Sequence, residues 1–399
     1  MTPSAHDIET ELASIANPAV DGDIVDTGLV VDVERDDDEA VVTLAMNAPY
    51  APLELELGDE IRETIADLGL KPKLRASVGA EQGFDEEVLP GVRNVIAVAS
   101  GKGGVGKTTV AGNLAAGLHE KGARVGLLDA DIHGPNAPRV LPVEGEPGVT
   151  PNDDIVPPRS DGVMVMSMGF LTRGSDDPAI MRGPMVNNVM RKFVDDVEWG
   201  RLDYLVVDLP PGTGDASLNL LQTLPVAGVV TVTTPQEMAV DDTRKGIRMF
   251  ERHDTPLLGV VENMSGFTCP SCEEVHHPFG EQRAEELKAD YGVDLLGRLP
   301  VHPDFDTGAN EHPVIRDEDS ELRPVVADVV DGVTDAVSEA NLRTVAANAD
   351  AEGYDRVPSA EGTVHTTDGS GETSGHEENP GDHGGSGNGG HGCTCGGSH

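Results

Sequence analysis

Residues Ser100–Thr109 read SGKGGVGKTT and contain the pattern G-x-x-x-x-G-K-[ST], which runs from Gly101 to Thr108. The glycines allow the backbone to wrap so that successive N–H groups point into one anion-sized hollow. The apolar run Asn94–Ala99 precedes the loop, and Val110–Lys121 follows it with helical composition. A strand, a glycine loop and a helix N-terminus together predict a phosphate-binding loop.

The side chains of this loop predict specific roles. Lys107 supplies positive charge to the outer phosphates, and Thr108 offers its hydroxyl to Mg²⁺. Lys102 is a second lysine that the pattern does not require, and from its side of the loop it can reach the phosphates of a facing subunit better than its own. We expect the whole loop to bind the nucleotide, that is Gly101, Lys102, Gly103, Gly104, Val105, Gly106, Lys107, Thr108 and Thr109.

With Lys102 included, the stretch KGGVGKT resembles the deviant Walker A ATPases, the group that includes MinD, ParA, ArsA and the nitrogenase iron protein. The resemblance implies ATP rather than GTP as the nucleotide. It also implies a nucleotide-sandwich homodimer in which Lys102 crosses the interface. Lys102 and Lys107 are therefore the predicted catalytic lysines.

The composition limits the classes of partner. The 399 residues include 71 acidic and 28 basic residues, giving a formal net charge of −43. This charge repels nucleic acid and anionic membranes, so we expect neither as a partner. Because the acidic residues are spread along the whole chain, we interpret them as adaptation to a salty, halophilic cytosol. The sequence shows no membrane-span pattern and no signal pattern, which predicts a cytoplasmic protein.

The chain divides by composition into four parts. We predict a small α+β domain at 1–78, a linker at 79–91, a P-loop domain at 92–344, and a disordered acidic tail at 345–399 rich in glycine and histidine. The fold class predicted for the P-loop domain is α/β, with a doubly wound, mostly parallel sheet, because its apolar runs are continuous rather than alternating. These runs are Val95–Ala99, Val125–Asp129, Val163–Met168, Tyr204–Asp208, Val229–Thr233, Leu257–Val261 and Leu295–Leu299.

The first domain resembles a small domain of iron–sulfur assembly factors. The matching stretches are DIVDTGLV (Asp23–Val30) and NAPYAPLELELGDEI (Asn47–Ile61). Many members of that family carry a cysteine where this chain has Ala51, before Pro52. We therefore expect a docking role, or a purely structural one, rather than cysteine chemistry.

Three acidic residues follow predicted strands. Asp208, in YLVVDLPPGTG, is delivered to the carboxyl edge of the sheet, where it can hold the Mg²⁺ shell. Asp129 and Asp131, in LLDADIHGP, are two residues apart and so point to one side of an extended segment. The resemblance to the ATPases implies that Asp131 orients the attacking water and that Asp129 lies in the Mg²⁺ shell.

Asn263 lies in the stretch VVENMSGF, at the end of another predicted strand. Its amide presents both a donor and an acceptor, which can read the adenine edge. The resemblance to the ATPases implies an adenine-contacting asparagine in such a stretch.

Cys269 and Cys272 form a C-x-x-C motif that can chelate one metal. Zinc and iron–sulfur clusters usually need four ligands, so the site must be completed. His276 and His277 could complete a zinc site, the C-terminal cysteines could fold back, or a twofold dimer could bring two motifs together. A redox pair is a further alternative, although the motif does not open a helix.

The stretch Met181–Asp215 is very similar to the Mrp/ApbC family of iron–sulfur cluster carrier ATPases, as are LDADIHGPNAP and ENMSGFTCPSC. This resemblance implies an ATP-hydrolysing carrier that holds a cluster, expected to be [4Fe–4S], between two subunits. It also implies scaffold proteins as donors and apoproteins as acceptors.

Two other classes compete with this interpretation. A MinD/ParA-type positioning ATPase would call for a basic amphipathic helix or a basic face, and the sequence shows neither. A nickel or other metal-insertion ATPase is suggested by the histidine-bearing tail. The tail also carries Cys393 and Cys395, which either bind a metal or belong to a solubilising segment.

Overall fold

The computed structural model describes residues 3–77, 88–131, 134–143, 145–172, 183–281, 283–306 and 312–351. The tail cysteines Cys393 and Cys395, most of the predicted linker, and His133 lie outside these ranges.

The N-terminal domain has the predicted α+β class. Its elements are α1 (Ala5–Leu12), β1 (Val30–Asp36), β2 (Glu39–Leu44), α2 (Pro52–Asp67) and β3 (Lys71–Ala76). Strand β1 is antiparallel to β2, and β3 is parallel to β2. The third strand was not predicted; it is mostly exposed, although Pro72, Leu74 and Ala76 alternate with charged residues along it.

The larger part of the chain forms an eight-stranded sheet of order β15-β12-β11-β4-β10-β5-β9-β8. Its strands pair in parallel, except that β8 is antiparallel to β9. The strands of this part are β4 (Val92–Ser100), β5 (Val125–Asp129), β6 (Gly148–Val149), β7 (Ile155–Val156), β8 (Arg159–Ser160), β9 (Val163–Ser167), β10 (Leu202–Asp208), β11 (Val226–Thr233), β12 (Leu257–Asn263), β13 (Phe267–Thr268), β14 (Val275–His276) and β15 (Leu295–Leu299). All seven predicted runs are strands of the sheet, so the doubly wound class is confirmed.

Helices cover the sheet. They are α3 (Lys107–Glu120), α4 (Ala137–Val140), α5 (Gly169–Thr172), α6 (Gly183–Asp195), α7 (Asp215–Thr223), α8 (Glu237–Arg252), α9 (Ala284–Tyr291) and α10 (Arg323–Ala351), with short 3₁₀ turns at Pro303–Phe305 and Val314–Arg316. Alternate residues of β4 enter two different cores: Ile96 and Val98 pack with α3 and α10, whereas Val95 and Ala97 pack with α6 and α7. The sheet is therefore buried on both faces, which explains its continuously apolar strands.

The N-terminal domain is joined to the P-loop domain through the segment Asn47–Glu54. Ala51 is fully buried in the P-loop domain's core. The Tyr204 hydroxyl donates to the Pro49 carbonyl at 2.8 Å, and the Leu53 N–H donates to an Asp335 carboxylate oxygen at 2.8 Å. The position where related domains carry a cysteine is thus enclosed by packing, and the expected docking or structural role of this domain stays a prediction.

Helix α10 continues seven residues beyond the sequence-based boundary at 344 and ends at Ala351. Leu342 packs into the core of the N-terminal domain, and Ala346 is also buried, so this end of the helix has apolar contacts to make. Although α10 has 29 residues, neither it nor any other described helix is long and apolar enough to cross a membrane.

Candidate functional site

The glycine loop connects the end of β4 to the start of α3, as the motif predicts. Gly104 and Gly106 have φ values of +80° and +89°, a region that strongly favours glycine. A Cβ added to Gly106 would lie 2.0 Å from the Asn263 side chain, so no larger residue fits there. A Cβ on Gly103 or Gly104 would meet open space, which leaves the mouth of the loop free for a ligand.

Lys107 and Thr108 both contact Asp208. The Lys107 ammonium donates to one carboxylate oxygen at 2.5 Å, and the Thr108 hydroxyl donates to the other at 2.6 Å. Lys107 is 6% exposed and Asp208 is fully buried. Asp208 ends β10, the immediate neighbour of β4, so the sheet order itself places this carboxylate beside the loop.

Burial dominates the electrostatics of this edge of the sheet. It raises the pKa of Asp208, an effect that the neighbouring Lys107 charge opposes. Asp129 ends the adjacent strand β5 in register with Asp208. Burial, and then the Asp208 charge, raise the pKa of Asp129 to about 6. Two buried carboxylates side by side are a favourable arrangement for a divalent cation, whose charge would offset their repulsion.

Asp129 organises the loop that follows it. Its carboxylate accepts hydrogen bonds from the Asp131 N–H (3.1 Å), the Ala137 N–H (3.0 Å) and the Ser167 hydroxyl (3.0 Å). Asp131 itself accepts from the Gly134 N–H and lines the cavity at the glycine loop. Asp131, the predicted hydrolysis residue, therefore lines the cavity, whereas Asp129 does not. The role of Asp131 in hydrolysis stays a prediction.

The cavity at the loop has a volume of about 270 Å³. It is lined by most of the predicted loop residues, but not by Gly101 or Val105, and by four residues that the sequence analysis missed, Asn136, Arg139, Val140 and Pro211. Arg139 is exposed, and its helix α4 packs tightly on α3, because a Cβ on Gly112 would lie 2.4 Å from the Val140 side chain. No short sequence motif indicates Arg139, because it reaches the cavity only through the packing of α4 on α3.

Lys102 lies at the rim of this cavity. Its ammonium donates to the Gln236 side-chain oxygen at 3.0 Å. Gln236 precedes α8, and the glycine loop packs against this helix, since a Cβ on Gly101 would lie 2.6–2.8 Å from atoms of Asp242 and Thr243. In the part of the chain that the structure describes, the second lysine is thus held by an uncharged partner and not by a carboxylate.

Asn263 ends β12 and is 7% exposed. Its amide donates to the Val105 carbonyl at 2.8 Å, so in this structure it supports the glycine loop from below. Its predicted contact with adenine remains a prediction.

A larger cavity, of about 930 Å³, lies at the opposite edge of the sheet. It is lined by residues at the starts of β11 and β12 and by α10, among them Pro225, Leu257 and Glu339. It contains no part of the glycine loop and none of the predicted site residues. We therefore place the functional site at the smaller cavity.

Cys269 and Cys272 lie in the turn that joins β13 to β14. The Cys269 N–H donates to the Glu274 carbonyl at 2.9 Å, and the Glu273 N–H donates to the Cys269 carbonyl at 2.8 Å. The Cys272 side chain is exposed, and Cys269 is partly so. Backbone N–H groups of Ser271 and Cys272 lower the pKa of the Cys269 thiol, which favours the thiolate that binds metals.

The hairpin offers three metal ligands within the described residues. The ligand atoms of Cys269, Cys272 and His276 all lie within 4.8 Å of one another. His277, the other predicted candidate, instead contacts the Ser265 carbonyl through Nδ1 at 2.8 Å. The described part of one chain therefore brings together three of the four ligands that a closed site needs.

Fold and site together define a P-loop nucleotide-binding protein that presents a cysteine pair on a hairpin. Residues 91–334 match the ParA family model described as "NUBPL iron-transfer P-loop NTPase". The chain belongs to this family, since the match covers more than half of the chain.

Among curated proteins, the chain is 40% identical over 302 residues to an iron–sulfur cluster carrier protein of Synechocystis sp., covering 73% of this chain and 85% of the relative. It is 43% identical over 242 residues to a protein of the same name from Aquifex aeolicus, covering 60% of this chain and 66% of that relative. Among solved structures, it is similar to a nucleotide-binding protein from Archaeoglobus fulgidus in complex with ADP, at 35% identity and a TM-score of 0.49, covering 64% of this chain and 93% of that one.

Proposed function

We propose that this protein is an ATP-hydrolysing carrier of iron–sulfur clusters that holds its cluster between two subunits and transfers it to apoproteins. The names of its relatives support the carrier role. The observation that carries the proposal is structural: the cysteine hairpin is attached at both ends to the elements that form the glycine loop's site.

The first attachment runs through Asn263. This residue ends β12, only six positions before Cys269, and donates its amide to the Val105 carbonyl of the glycine loop. Met264, the next residue, has a φ of +58°, so the chain turns sharply there. A movement of the loop at Val105 would therefore displace Asn263 and, with it, the base of the hairpin.

The second attachment runs through Gln236. A Cβ on Gly280, just after the hairpin, would lie 3.1 Å from the Pro235 carbonyl, so the two segments are in close contact. Pro235 is followed by Gln236, which holds Lys102. Arg283 adds an ion pair to Glu237 at 3.6 Å. The hairpin's exit thus rests on the segment that holds the second lysine.

The nucleotide pocket has the groups that ATP and Mg²⁺ require. The loop N–H groups and Lys107 would hold the phosphates, and Thr108, Asp208 and Asp129 would hold or support Mg²⁺, which neutralises charge on the outer phosphates. Binding would exchange the Lys107–Asp208 contact for contacts to phosphate and metal. Asp131, at the cavity wall, would orient the attacking water.

A homodimer completes both sites. Among the described residues, Lys102 contacts the uncharged Gln236 side chain, so it can leave Gln236 for a facing nucleotide at small electrostatic cost. Met238 is 73% exposed near Lys102's partner, and Val275 is 58% exposed on the hairpin, as expected for residues covered by a second copy. Two C-x-x-C motifs would then supply the four thiolates of a [4Fe–4S] cluster.

The exposed hairpin is suited to exchange with other proteins. Scaffold donors and apoprotein acceptors could approach Cys272 without opening the fold, because this side chain is already exposed. The net charge of −43 argues against nucleic acid and anionic membranes as partners. A cytoplasmic location fits these properties and is part of the proposal.

The test is cluster transfer from the loaded protein to an apo form of a [4Fe–4S] enzyme, followed by that enzyme's regained activity. We expect transfer from wild type and from Cys393→Ser/Cys395→Ser, and none from Cys269→Ser/Cys272→Ser. Asn263→Ala should abolish the influence of ATP on the transfer rate. Equal transfer from the Cys269/Cys272 variant would rule out the proposed carrier site, and unchanged ATP dependence in Asn263→Ala would rule out the coupling path.

A further inference from the structure

We propose that one chain, without a second copy, binds a single zinc-class divalent ion through Cys269, Cys272 and His276, with the fourth coordination position open. This inference deepens the proposed function because it uses the same cysteine pair. It requires neither a cluster nor a dimer, so it can fail or succeed independently of them.

The separations of the ligand atoms fit a tetrahedral ion. Cys272 Sγ lies 3.7 Å from His276 Nε2. Typical Zn–S and Zn–N bonds of about 2.3 and 2.0 Å at tetrahedral angles place the two ligand atoms about 3.5 Å apart. Cys269 Sγ lies within 4.8 Å of both.

The hairpin backbone holds the three ligands in place. Strands β13 and β14 pair with Phe267 opposite His276 and Thr268 opposite Val275, which fixes the histidine next to the start of the turn. The turn between the strands closes with the two backbone hydrogen bonds between Cys269 and residues 273 and 274. Glu273 adopts a φ of +59°, which reverses the chain. The cysteines therefore face the histidine because of the hairpin register.

The neighbouring histidine does not take this role. Along a strand, successive side chains point to opposite faces, so His276 and His277 diverge. His277 Nδ1 is engaged by the Ser265 carbonyl at 2.8 Å, on the side where the hairpin joins the sheet. His276 is thus the ligand, and His277 provides a matched control one residue away.

The donor set selects the class of ion. Two thiolates and an imidazole favour zinc-class ions over Mg²⁺ and Ca²⁺, which prefer oxygen. Cys272 and His276 are both exposed, so the fourth position faces solvent. Three protein ligands with an open position permit exchange of the fourth ligand, here water or a thiolate from another protein. The site could accept such a thiolate before any second copy binds.

Cobalt(II) titration of the full-length protein, reduced and free of metal, tests this inference. Cys393→Ser/Cys395→Ser serves as the background so that thiolate signals come from the hairpin alone. Tetrahedral Co²⁺–thiolate absorption and the mass in solution are recorded together. We expect one thiolate-bound Co²⁺ per chain in a monomer, and at least about tenfold weaker binding in His276→Gln because one of three ligands is lost.

Two further variants make the result specific. His277→Gln should bind Co²⁺ as the background does, and His276→Cys should restore affinity with stronger thiolate absorption. Equal binding by His276→Gln and the background would overturn the inference while leaving the cysteine-based carrier site intact. One Co²⁺ per two chains in a dimer, or no thiolate absorption at all, would also overturn it.

Discussion

The nucleotide pocket and the cysteine hairpin differ in how far one chain completes them. In the pocket, the charged groups are buried and satisfy each other: Asp208 is fully buried and receives hydrogen bonds from Lys107 and Thr108. In the hairpin, the ligands lie at the surface on strands of two residues each, and the described chain provides three of them. The binding groups of the pocket are thus in place before the ligand binds, whereas the ligand set of the hairpin is completed only by what binds it.

This difference indicates which of the two regions can control the position of the other. A buried charged pair costs several kcal/mol if one partner is removed, so the pocket's groups can exchange partners but cannot be left alone. The hairpin has little packing of its own, and its position follows from its two attachments, at Asn263 and at Pro235. We expect nucleotide binding in the pocket to change the position of the hairpin, through these two attachments.

The largest expected effect is that of Lys107→Gln. Loss of the charge aimed at the phosphates should reduce kcat/KM for ATP by at least about 100-fold. Glutamine keeps a donor for Asp208, so the fold should survive, as thermal unfolding would show. Co²⁺ binding at the hairpin should not change. Lys192→Gln, at a lysine 68% exposed, is the control and should retain activity. A loss of Co²⁺ affinity in Lys107→Gln as large as its loss of ATPase activity would show that the metal ligands depend on the pocket.

Lys102→Ala should reduce turnover by about tenfold or more while leaving ATP binding nearly intact, because its charge acts across the interface. Complementation makes the test specific. A Lys102→Ala chain retains its own pocket, and a Lys107→Gln chain retains the second lysine. Mixing the two impaired variants should give more activity than the sum of the two measured separately. If mixing gives no more than that sum, the lysine does not act on the facing subunit.

Arg139→Ala should raise KM for ATP about two- to fivefold, because this arginine lines the cavity yet is exposed and screened. The effect should shrink as salt is raised. Arg201→Ala is the matched control, since Arg201 precedes β10 and so lies at the opposite edge of the sheet. Equal changes in KM for ATP in Arg139→Ala and Arg201→Ala would show that KM depends on the net charge of the protein and not on the position of Arg139.

Asp129 predicts a small dependence of stability on pH. Its pKa is about 6 in the folded chain, against an ordinary value of 3.8, so the folded state holds a proton that the unfolded state has lost. The free energy of unfolding should therefore fall between pH 4 and 6, by about 1.4 kcal/mol per pH unit at most.

Denaturant unfolding at constant salt, without nucleotide or Mg²⁺, checks this slope. The comparison is wild type minus Asp129→Asn, and the difference should level off above about pH 7. Asp59→Asn, at a carboxylate 80% exposed, should not remove the slope. A slope of the opposite sign would mean that the hydrogen bonds to Asp129 outweigh its burial.

The features that could be predicted from the sequence are those determined by neighbouring residues. The glycine loop, the strand that delivers Asp208, and the seven apolar runs all follow from residue types at fixed spacing. Strand β3 was missed because the run Lys71–Ala76 is short and mostly exposed and contains Pro72, which argues against a strand even though Pro72, Leu74 and Ala76 alternate with charged residues. The end of α10 was misplaced because its last turns are stabilised by contacts with a domain far away in the sequence.

The parts of the site that could not be predicted are tertiary contacts. Gln236 and Arg139 reach the loop only because α8 and α4 pack beside it. The choice between His276 and His277 is made by hairpin register, which the two adjacent histidines do not reveal. Asn263 was correctly placed at a strand end, but its bond to Val105 depends on how closely the glycine loop approaches.

Iron and sulfide content after anaerobic purification, measured with the mass in solution, tests the central claim most directly. The account predicts about four iron and four sulfide per two chains in wild type. It predicts the same for Cys393→Ser/Cys395→Ser, and loss of both in Cys269→Ser/Cys272→Ser. Unchanged iron in the last variant, or a full cluster on a monomer, would contradict a cluster shared through the hairpin.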